Sequence, residues 1–150
     1  MKHLYLNLKR FDVPAEFGGV NRIAPVATLN AQIMQVRDVP TGETVGYSQG
    51  YRAEAPIRVA TCGTGYADGV MRSNSPRGQV WVAGELRPII GRVSMDVLAV
   101  DVTGLDVAAG DTVEIFGAHR LVDDAATAAG TISYEMLTSI TPRVPRLYVG

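Results

Sequence analysis

The sequence predicts an all-β domain, a barrel or a sandwich, with two short helices near the C-terminus. Between residues 25 and 116, short apolar and β-branched runs alternate with turns rich in glycine and proline. A helical pattern occurs only after residue 120, and 150 residues give room for one domain, or for one domain and a short extension. We expect an extension at residues 1–24 and the β domain at residues 25–150.

Turn residues set the order of the predicted strands. A first strand is possible at residues 4–8, before a connector that contains Pro14 and Gly18. The strands of the β domain are expected at residues 27–36, 44–47, 57–62, 79–82, 86–90, 97–102, 112–116 and 143–149. Turns at residues 40–43 and 83–85 would fold the strands on either side of them into two hairpins. Pro145 places the last strand at a sheet edge, because proline cannot donate to a ladder.

Two helices are predicted after the strands. Asp123 or Asp124 would cap an alanine-rich helix, which ends at Gly130. Ser133 would cap a second helix over residues 134–140. Both helices are short, so the domain remains mainly β.

Composition and charge exclude several classes of function. The formal net charge is -1 and the sequence pI is about 6.1, so neither nucleic acid nor an anionic membrane is an expected partner. Cys62 is the only cysteine, which excludes an internal disulfide and a multi-cysteine metal site and favours a cytoplasmic location. His3 and His119 lack metal-ligand spacing, and we interpret both as structural or surface residues. No apolar run approaches the roughly 20 residues that span a bilayer.

A polar segment at residues 91–97 lies between two apolar runs. It places Arg92, Ser94, Met95 and Asp96 on a bend or bulge between β-segments. This segment is either an ordinary strand connection with solvated charges or part of a binding site, and its spacing alone fits both.

Three tyrosines lie in polar turns, which is unusual. Tyr47 follows a glycine, Tyr66 lies in the turn at residues 63–69, and Tyr134 begins a predicted helix. A phenol is a poor base near neutral pH unless cations or hydrogen-bond donors stabilise its anion, and with such neighbours it can remove a proton from carbon. The alternative is that all three are half-buried tyrosines that hold loops through their hydroxyl groups.

Five motifs give a more specific indication. They are Val45-Gly-Tyr-Ser, Gly65-Tyr-Ala-Asp-Gly69, Pro88-Ile-Ile-Gly-Arg-Val-Ser-Met-Asp96, Thr131-Ile-Ser-Tyr-Glu135 and Pro142-Arg-Val-Pro-Arg146. In this order they resemble the C-terminal domain of alanine racemase, and the resemblance covers about residues 25–148. It implies a pyridoxal 5'-phosphate enzyme with an N-terminal α/β barrel domain, a C-terminal β domain and a small amino-acid substrate. It also implies a head-to-tail homodimer, in which each active site joins the barrel of one subunit to the β domain of the other.

The resemblance also implies roles for individual residues. Tyr47 matches the tyrosine that exchanges the α-proton of alanine on one face, reaching in from the partner subunit. Tyr134 matches the tyrosine near the cofactor phosphate, and Met95 the residue whose backbone N–H helps receive the substrate carboxylate. Tyr66 matches the tyrosine that narrows the substrate entrance. The expected outer lining of that entrance is Arg72, Arg92, Asp68 and Ile132.

The lysine that the family uses as its second base, and as the cofactor's anchor, has no match here. It lies in a motif resembling Val-Lys-Ala-Asn-Ala-Tyr-Gly, whereas the only lysines of this chain are Lys2 and Lys9, in other contexts. Residues 1–24 are too few for an eight-fold barrel of roughly 200 residues. We therefore expect the chain alone neither to hold pyridoxal phosphate well nor to racemise alanine.

Two other classes of function remain as alternatives. A free-standing β-barrel module could use the face that normally packs on the racemase barrel to bind another protein. A single-stranded nucleic-acid binder could stack bases on aromatic residues, but the acidic pI and the single tryptophan disfavour it.

Overall fold

The computed structural model describes residues 1–7, 26–47 and 50–149. Its strands are β1 (His3–Asn7), β2 (Ala27–Val39), β3 (Thr44–Val45), β4 (Tyr51–Arg52), β5 (Ile57–Cys62), β6 (Gln79–Val82), β7 (Glu85–Ile90), β8 (Leu98–Asp101), β9 (Thr112–Phe116) and β10 (Arg146–Val149). The helices are α1 (Val122–Ala129) and α2 (Ser133–Ser139), and two short 3-10 turns cover Tyr66–Asp68 and Arg72–Asn74. The predicted mainly β fold with two late helices is confirmed.

Six strands close a barrel in the order β2, β5, β8, β7, β6 and β9, with β9 pairing back on β2. The length of β2 makes closure possible, because residues 29–32 pair with β9 and residues 33–39 pair with β5. Register shifts after Leu29 and after Ile33 bend this strand between its two neighbours, as β-bulges do. Of the two architectures left open by the sequence, the structure is therefore the barrel.

The barrel interior holds the main hydrophobic core. Its largest fully buried side chains include Phe116, Leu29, Ile89, Leu98 and Ile115. Each such side chain stabilises the fold by about 1.5–3 kcal/mol relative to an exposed position. Helices α1 and α2 bury small and flexible side chains against the same cluster: Ala125, Ala126 and Met136.

The predicted hairpin between residues 27–36 and 44–47 is wrong. Strand β2 continues beyond the predicted end to Val39 and pairs there with β5, up to the Val39–Ile57 position. Instead β3 pairs with β4, which lies in a segment predicted to be a loop. Hydrogen bonds from Gly42 N–H to the Ala53 carbonyl (2.7 Å) and from Ala53 N–H to the Glu43 carbonyl (2.9 Å) extend this small ribbon. The second predicted hairpin, β6 with β7, is confirmed.

Both helices begin earlier than predicted, since their N-cap residues are Leu121 and Ile132. Asp123 and Asp124 lie inside the first turn of α1, and Ser133 is the first residue of α2. The true cap residues make no side-chain capping bond, although the two aspartates still complement the positive end of the α1 dipole. Gly130 ends α1 in the left-handed conformation, with φ 72°, as predicted.

Strand β1 lies between β2 and β10, antiparallel to the first and parallel to the second. Strand β10 is at the end of the described sheet order, which agrees with the edge position predicted from Pro145. Most of the expected extension, residues 1–24, lies outside the described residues, so that boundary stays a prediction. Within the described ranges no helix is long and apolar enough to cross a membrane.

Candidate active site

A cleft of about 580 Å³ opens beside the barrel, where the loop between β7 and β8 meets the end of β3 and the 3-10 turns. Five of the residues to which the resemblance assigns a role line it: Tyr47, Tyr66, Arg72, Arg92 and Met95. Their side chains are exposed, so the cleft combines two phenols and two guanidinium groups at one surface. A cleft with arginines on its wall attracts small anionic ligands such as carboxylates.

Two glycines allow Tyr47 to reach this cleft. Gly91 has φ +67°, and a Cβ there would lie 2.7 Å from the Val45 carbonyl oxygen. Gly46 has φ +83°, and a Cβ there would lie 3.1 Å from the Arg92 nitrogen. The backbones of the β3 end and of the β7–β8 loop therefore touch at two residues that have no side chain, which brings Tyr47 next to Arg92.

The tip of the β7–β8 loop is a tight turn closed by Ser94. Ser94 N–H donates to the Val97 carbonyl (3.0 Å), and Val97 N–H donates to Ser94 Oγ (3.2 Å). The Ser94 hydroxyl also lies 2.9 Å from the Val97 carbonyl oxygen. Within the described part of the chain, the N–H groups of Met95 and Asp96 have no acceptor, so they are available to an anion at the cleft.

The Tyr66 turn docks directly on the backbone of this loop. Tyr66 N–H donates to the Ser94 carbonyl and Ala67 N–H donates to the Met95 carbonyl, each at 3.0 Å. Gly65 makes the approach possible, since a Cβ there would overlap both of those carbonyl groups. Tyr66 and Met95 are thus fixed relative to one another through main-chain contacts.

Asp68 lies beneath the cleft and not on its surface. The resemblance placed Asp68 in the outer lining of the entrance. In the structure its side chain is 0 % exposed and lies under the residues that line the cleft. One carboxylate oxygen accepts a hydrogen bond from Gly65 N–H (3.0 Å), and the other lies 2.7 Å from Lys2 Nζ and 3.4 Å from Arg143 Nε. Sequence reasoning missed both cations: Arg143 lies in the last motif without an assigned role, and nothing in the sequence marks Lys2.

Arg143 links the buried and exposed parts of the site. Its guanidinium lies 2.6 Å from Asp96 Oδ1, as well as near Asp68. The hydrogen bond that Arg143 donates to Asp96 and the negative charge of Asp68 raise the pKa of Arg143 above its already high value. Its positive charge is therefore permanent, and it joins the tip of the β7–β8 loop to the chain that follows α2.

Tyr134 and Ile132 lie in a different cavity from the other predicted residues. This second cavity, of about 310 Å³, is formed between α1 and the start of α2. Both side chains are exposed, at 76 % and 63 % respectively. The structure therefore gathers five of the eight predicted residues at one cleft, buries one beneath it and places two at the second cavity.

The remaining chemically reactive groups are structural. Burial raises the pKa of the Cys62 thiol to about 12, so the thiol is inert near neutral pH. His119 stacks on Trp81 with ring centroids 4.8 Å apart, and its Nδ1 lies 3.0 Å from Glu114 Oε2. Among the residues that the structure describes, no group of three His, Cys, Asp or Glu side chains is placed to hold a metal. The His3 side chain is outside that description.

Comparison with known proteins decides the family. Residues 26–148 match the family model described as alanine racemase, C-terminal domain. The chain belongs to the alanine racemase C-terminal domain family. The family expected from the five sequence motifs is thereby confirmed.

Relatives in several bacteria support this assignment. The chain is 49 % identical over 129 residues to the alanine racemase of Stutzerimonas stutzeri and 47 % identical over 130 residues to that of Brucella canis. These matches cover 85 % of the chain but only 36 % and 33 % of the two relatives. The chain therefore spans about a third of the length of the curated racemases it matches, and the rest of each relative lies outside the match.

Solved structures of the alanine racemase family have the same fold. The structure from Acinetobacter baumannii matches with a TM-score of 0.82 at 41 % identity, covering 85 % of this chain and 36 % of that one. The structure from Bartonella henselae, described with covalently bound pyridoxal phosphate, matches with a TM-score of 0.80 at 39 % identity, covering 83 % of this chain and 35 % of that one. The barrel described above is thus an alanine racemase C-terminal domain.

The described residues fit only part of a pyridoxal phosphate site. Lys2 is the one lysine among them, and its amine is engaged by the buried Asp68 carboxylate at 2.7 Å. Lys9 lies outside the described residues. The exposed Tyr134 phenol suits a hydrogen bond to a phosphate, whereas a covalent anchor for the cofactor is missing from these ranges.

Proposed function

We propose that this chain supplies one wall of an alanine racemase active site, in which L- and D-alanine are interconverted. The other wall would be an N-terminal α/β barrel domain, belonging to the partner subunit of a homodimer. The observation that carries the proposal is the single cleft shared by Tyr47, Tyr66, Arg92 and Met95. The cleft presents an exposed phenol suited to proton transfer, together with the Arg72 and Arg92 guanidinium groups and the Met95 backbone, which suit binding of an amino-acid carboxylate.

Tyr47 is the proposed proton-transfer residue. Its side chain is 74 % exposed, so the hydroxyl oxygen is accessible to a ligand brought to the cleft by another domain. The Tyr47 phenolic oxygen exchanges the α-proton on one face of alanine, and an acid on the opposite face returns a proton to carbon. Pyridoxal phosphate, when bound, supplies the electron withdrawal that acidifies the α-carbon.

The neighbouring residues would orient the substrate. The Met95 N–H donates to the substrate carboxylate, and the Arg72 and Arg92 guanidinium groups raise the local concentration of that anion. Tyr66 narrows the approach, which favours a small amino acid. In the second cavity, Tyr134 would donate to the cofactor phosphate, and Ile132 would line the outer approach.

The chain alone is expected to be inactive. Lys2 is ion-paired with the buried Asp68 carboxylate and is therefore not available as a cofactor anchor or second base. The test is to mix the purified protein with pyridoxal phosphate and L-alanine and to follow D-alanine formation. Turnover by this chain alone would contradict the proposed division of the site.

Reconstitution tests the role of Tyr47 directly. The chain is combined with the barrel domain of the Stutzerimonas stutzeri relative, and racemisation is measured with Tyr47→Phe. Loss of a general acid–base group is expected to lower kcat by roughly 100-fold or more. Tyr148→Phe is the matched control, because Tyr148 is also an exposed tyrosine but does not line the cleft.

Two results would contradict the proposal. Unchanged turnover in Tyr47→Phe would remove Tyr47 from the reaction. A stable complex that shows no racemisation with any barrel partner would favour the alternative of a protein-interaction module.

A further inference from the structure

A fully buried carboxylate lies where three segments of the chain meet. Asp68 belongs to the turn at the cleft, Lys2 precedes β1, and Arg143 follows α2. A buried charge is tolerated only when it is paired and hydrogen-bonded, so these contacts hold the three segments together. The α2 end is also tied to the cleft turn by the Thr141 hydroxyl, which donates to the Ala67 carbonyl (2.8 Å).

The same carboxylate reaches the cleft by two routes. The first runs through Gly65, whose N–H donates to Asp68 and whose turn docks on the Ser94 and Met95 carbonyls. The second runs through Arg143, which bonds Asp96 at 2.6 Å. Both routes end at the loop tip, where the N–H groups of Met95 and Asp96 have no acceptor among the described residues.

We propose that Asp68 is a positioning residue for the cleft: through Gly65 and Arg143 it fixes the Tyr66 side chain relative to residues 95–96. The catalytic consequence of this inference rests on the proposed function, which assigns these loops to the substrate carboxylate and to the substrate entrance. Asp68 itself is 0 % exposed, so it acts only through the groups that it holds.

Hydrogen exchange tests the positioning role without any activity measurement. Asp68→Asn keeps the shape of the side chain and removes its charge. The amide hydrogens of Tyr66 and Ala67, which bond the facing loop, are expected to exchange roughly 10-fold faster or more, as loss of a charge-assisted bond predicts. The Val100 amide in β8 is the internal reference and should not change. Asp106→Asn, at an exposed aspartate, is the matched control.

Arg143→Gln provides a second variant if Asp68→Asn does not fold. The Arg143 side chain is 48 % exposed, so its replacement leaves the barrel core intact. It should accelerate exchange at the same two amides, and to a smaller degree, because Lys2 still pairs with Asp68. Unchanged exchange in the folded variants would overturn the proposal. Acceleration that spreads equally to Val100 would also overturn it, since that result indicates a purely structural role.

Kinetics of the reconstituted enzyme give the second readout. Asp68→Asn should raise KM for alanine by roughly tenfold with a smaller effect on kcat, because substrate placement and not proton transfer is disturbed. Tyr47→Phe should instead lower kcat, with a smaller effect on KM. An equal kcat loss in both variants would contradict the positioning role. If no assembly racemises alanine, the proposed function fails, while the exchange result still decides the role of Asp68.

Discussion

Replacing Gly65 by alanine should separate the two loops that form the cleft. A Cβ at this position would overlap the carbonyl groups of Ser94 and Met95, and both are main-chain atoms that cannot rotate away. Relief of the overlap breaks the bonds from Tyr66 N–H and Ala67 N–H, each worth about 0.5–1.5 kcal/mol. Overpacking adds about 1–3 kcal/mol. We therefore expect a loss of roughly 2–6 kcal/mol in the free energy of unfolding.

Urea unfolding followed by circular dichroism measures this loss, and Gly63→Ala is the matched control. Gly63 lies two residues earlier in the same loop. Its Cβ would meet the Met34 side chain, with Sδ at 3.0 Å, and the nearest backbone atom, the Gln32 carbonyl oxygen, would be at an ordinary contact distance of 3.8 Å. A thioether on a flexible chain can move, so this control should change stability by less than about 1 kcal/mol. Equal losses in the two variants would refute the argument that backbone contact at Gly65 builds the cleft.

Two further predictions concern groups outside the cleft. Cys62 should not react with a thiol reagent at pH 8 until the protein is unfolded in urea, because burial raises its pKa to about 12; rapid labelling of the native protein would contradict this. Since the unfolded thiol ionises near pH 8.5, this group's contribution to stability is complete below that pH and decreases as pH rises toward 12. Arg58→Met should lower the free energy of unfolding by about 1–3 kcal/mol, because its guanidinium donates to the Leu105 (2.8 Å) and Val107 (3.0 Å) carbonyls. Arg52→Met, at an exposed arginine, should have little effect, and a similar loss in both variants would count against the Arg58 contacts.

Local pattern predicts the strands of this domain better than it predicts their partners. The apolar runs and turn residues locate seven of the barrel and ribbon elements, and Gly130 marks the end of α1. The predicted partner of β3 was wrong because a two-residue strand has no periodicity of its own. The length of β2 was underestimated because it depends on contacts with residues far away in sequence. Barrel closure likewise depends on the β2–β9 pairing, which joins residues about 80 positions apart.

The residue types of the candidate site could be predicted from the sequence, but the burial of individual residues could not. Tyrosines in polar turns and the segment at residues 91–97 pointed to the cleft, and the five motifs gave the family. Burial of Asp68 could not be foreseen, since an aspartate in a glycine-rich turn usually faces solvent. Its partner Lys2 is 66 residues away in sequence, so only the folded chain brings the two charges together.

The loops around the cleft are held together mainly by backbone contacts, which leaves several of their side chains without structural contacts. Gly46, Gly65 and Gly91 are the points of closest approach, so the loops are held by backbone contacts and need no bulky side chains between them. The Ser94 hydroxyl is already occupied by hydrogen bonds with the Val97 backbone in its own turn. Among the described residues the Tyr47 hydroxyl and the Met95 N–H make no hydrogen bond, so both remain available to a ligand in the cleft.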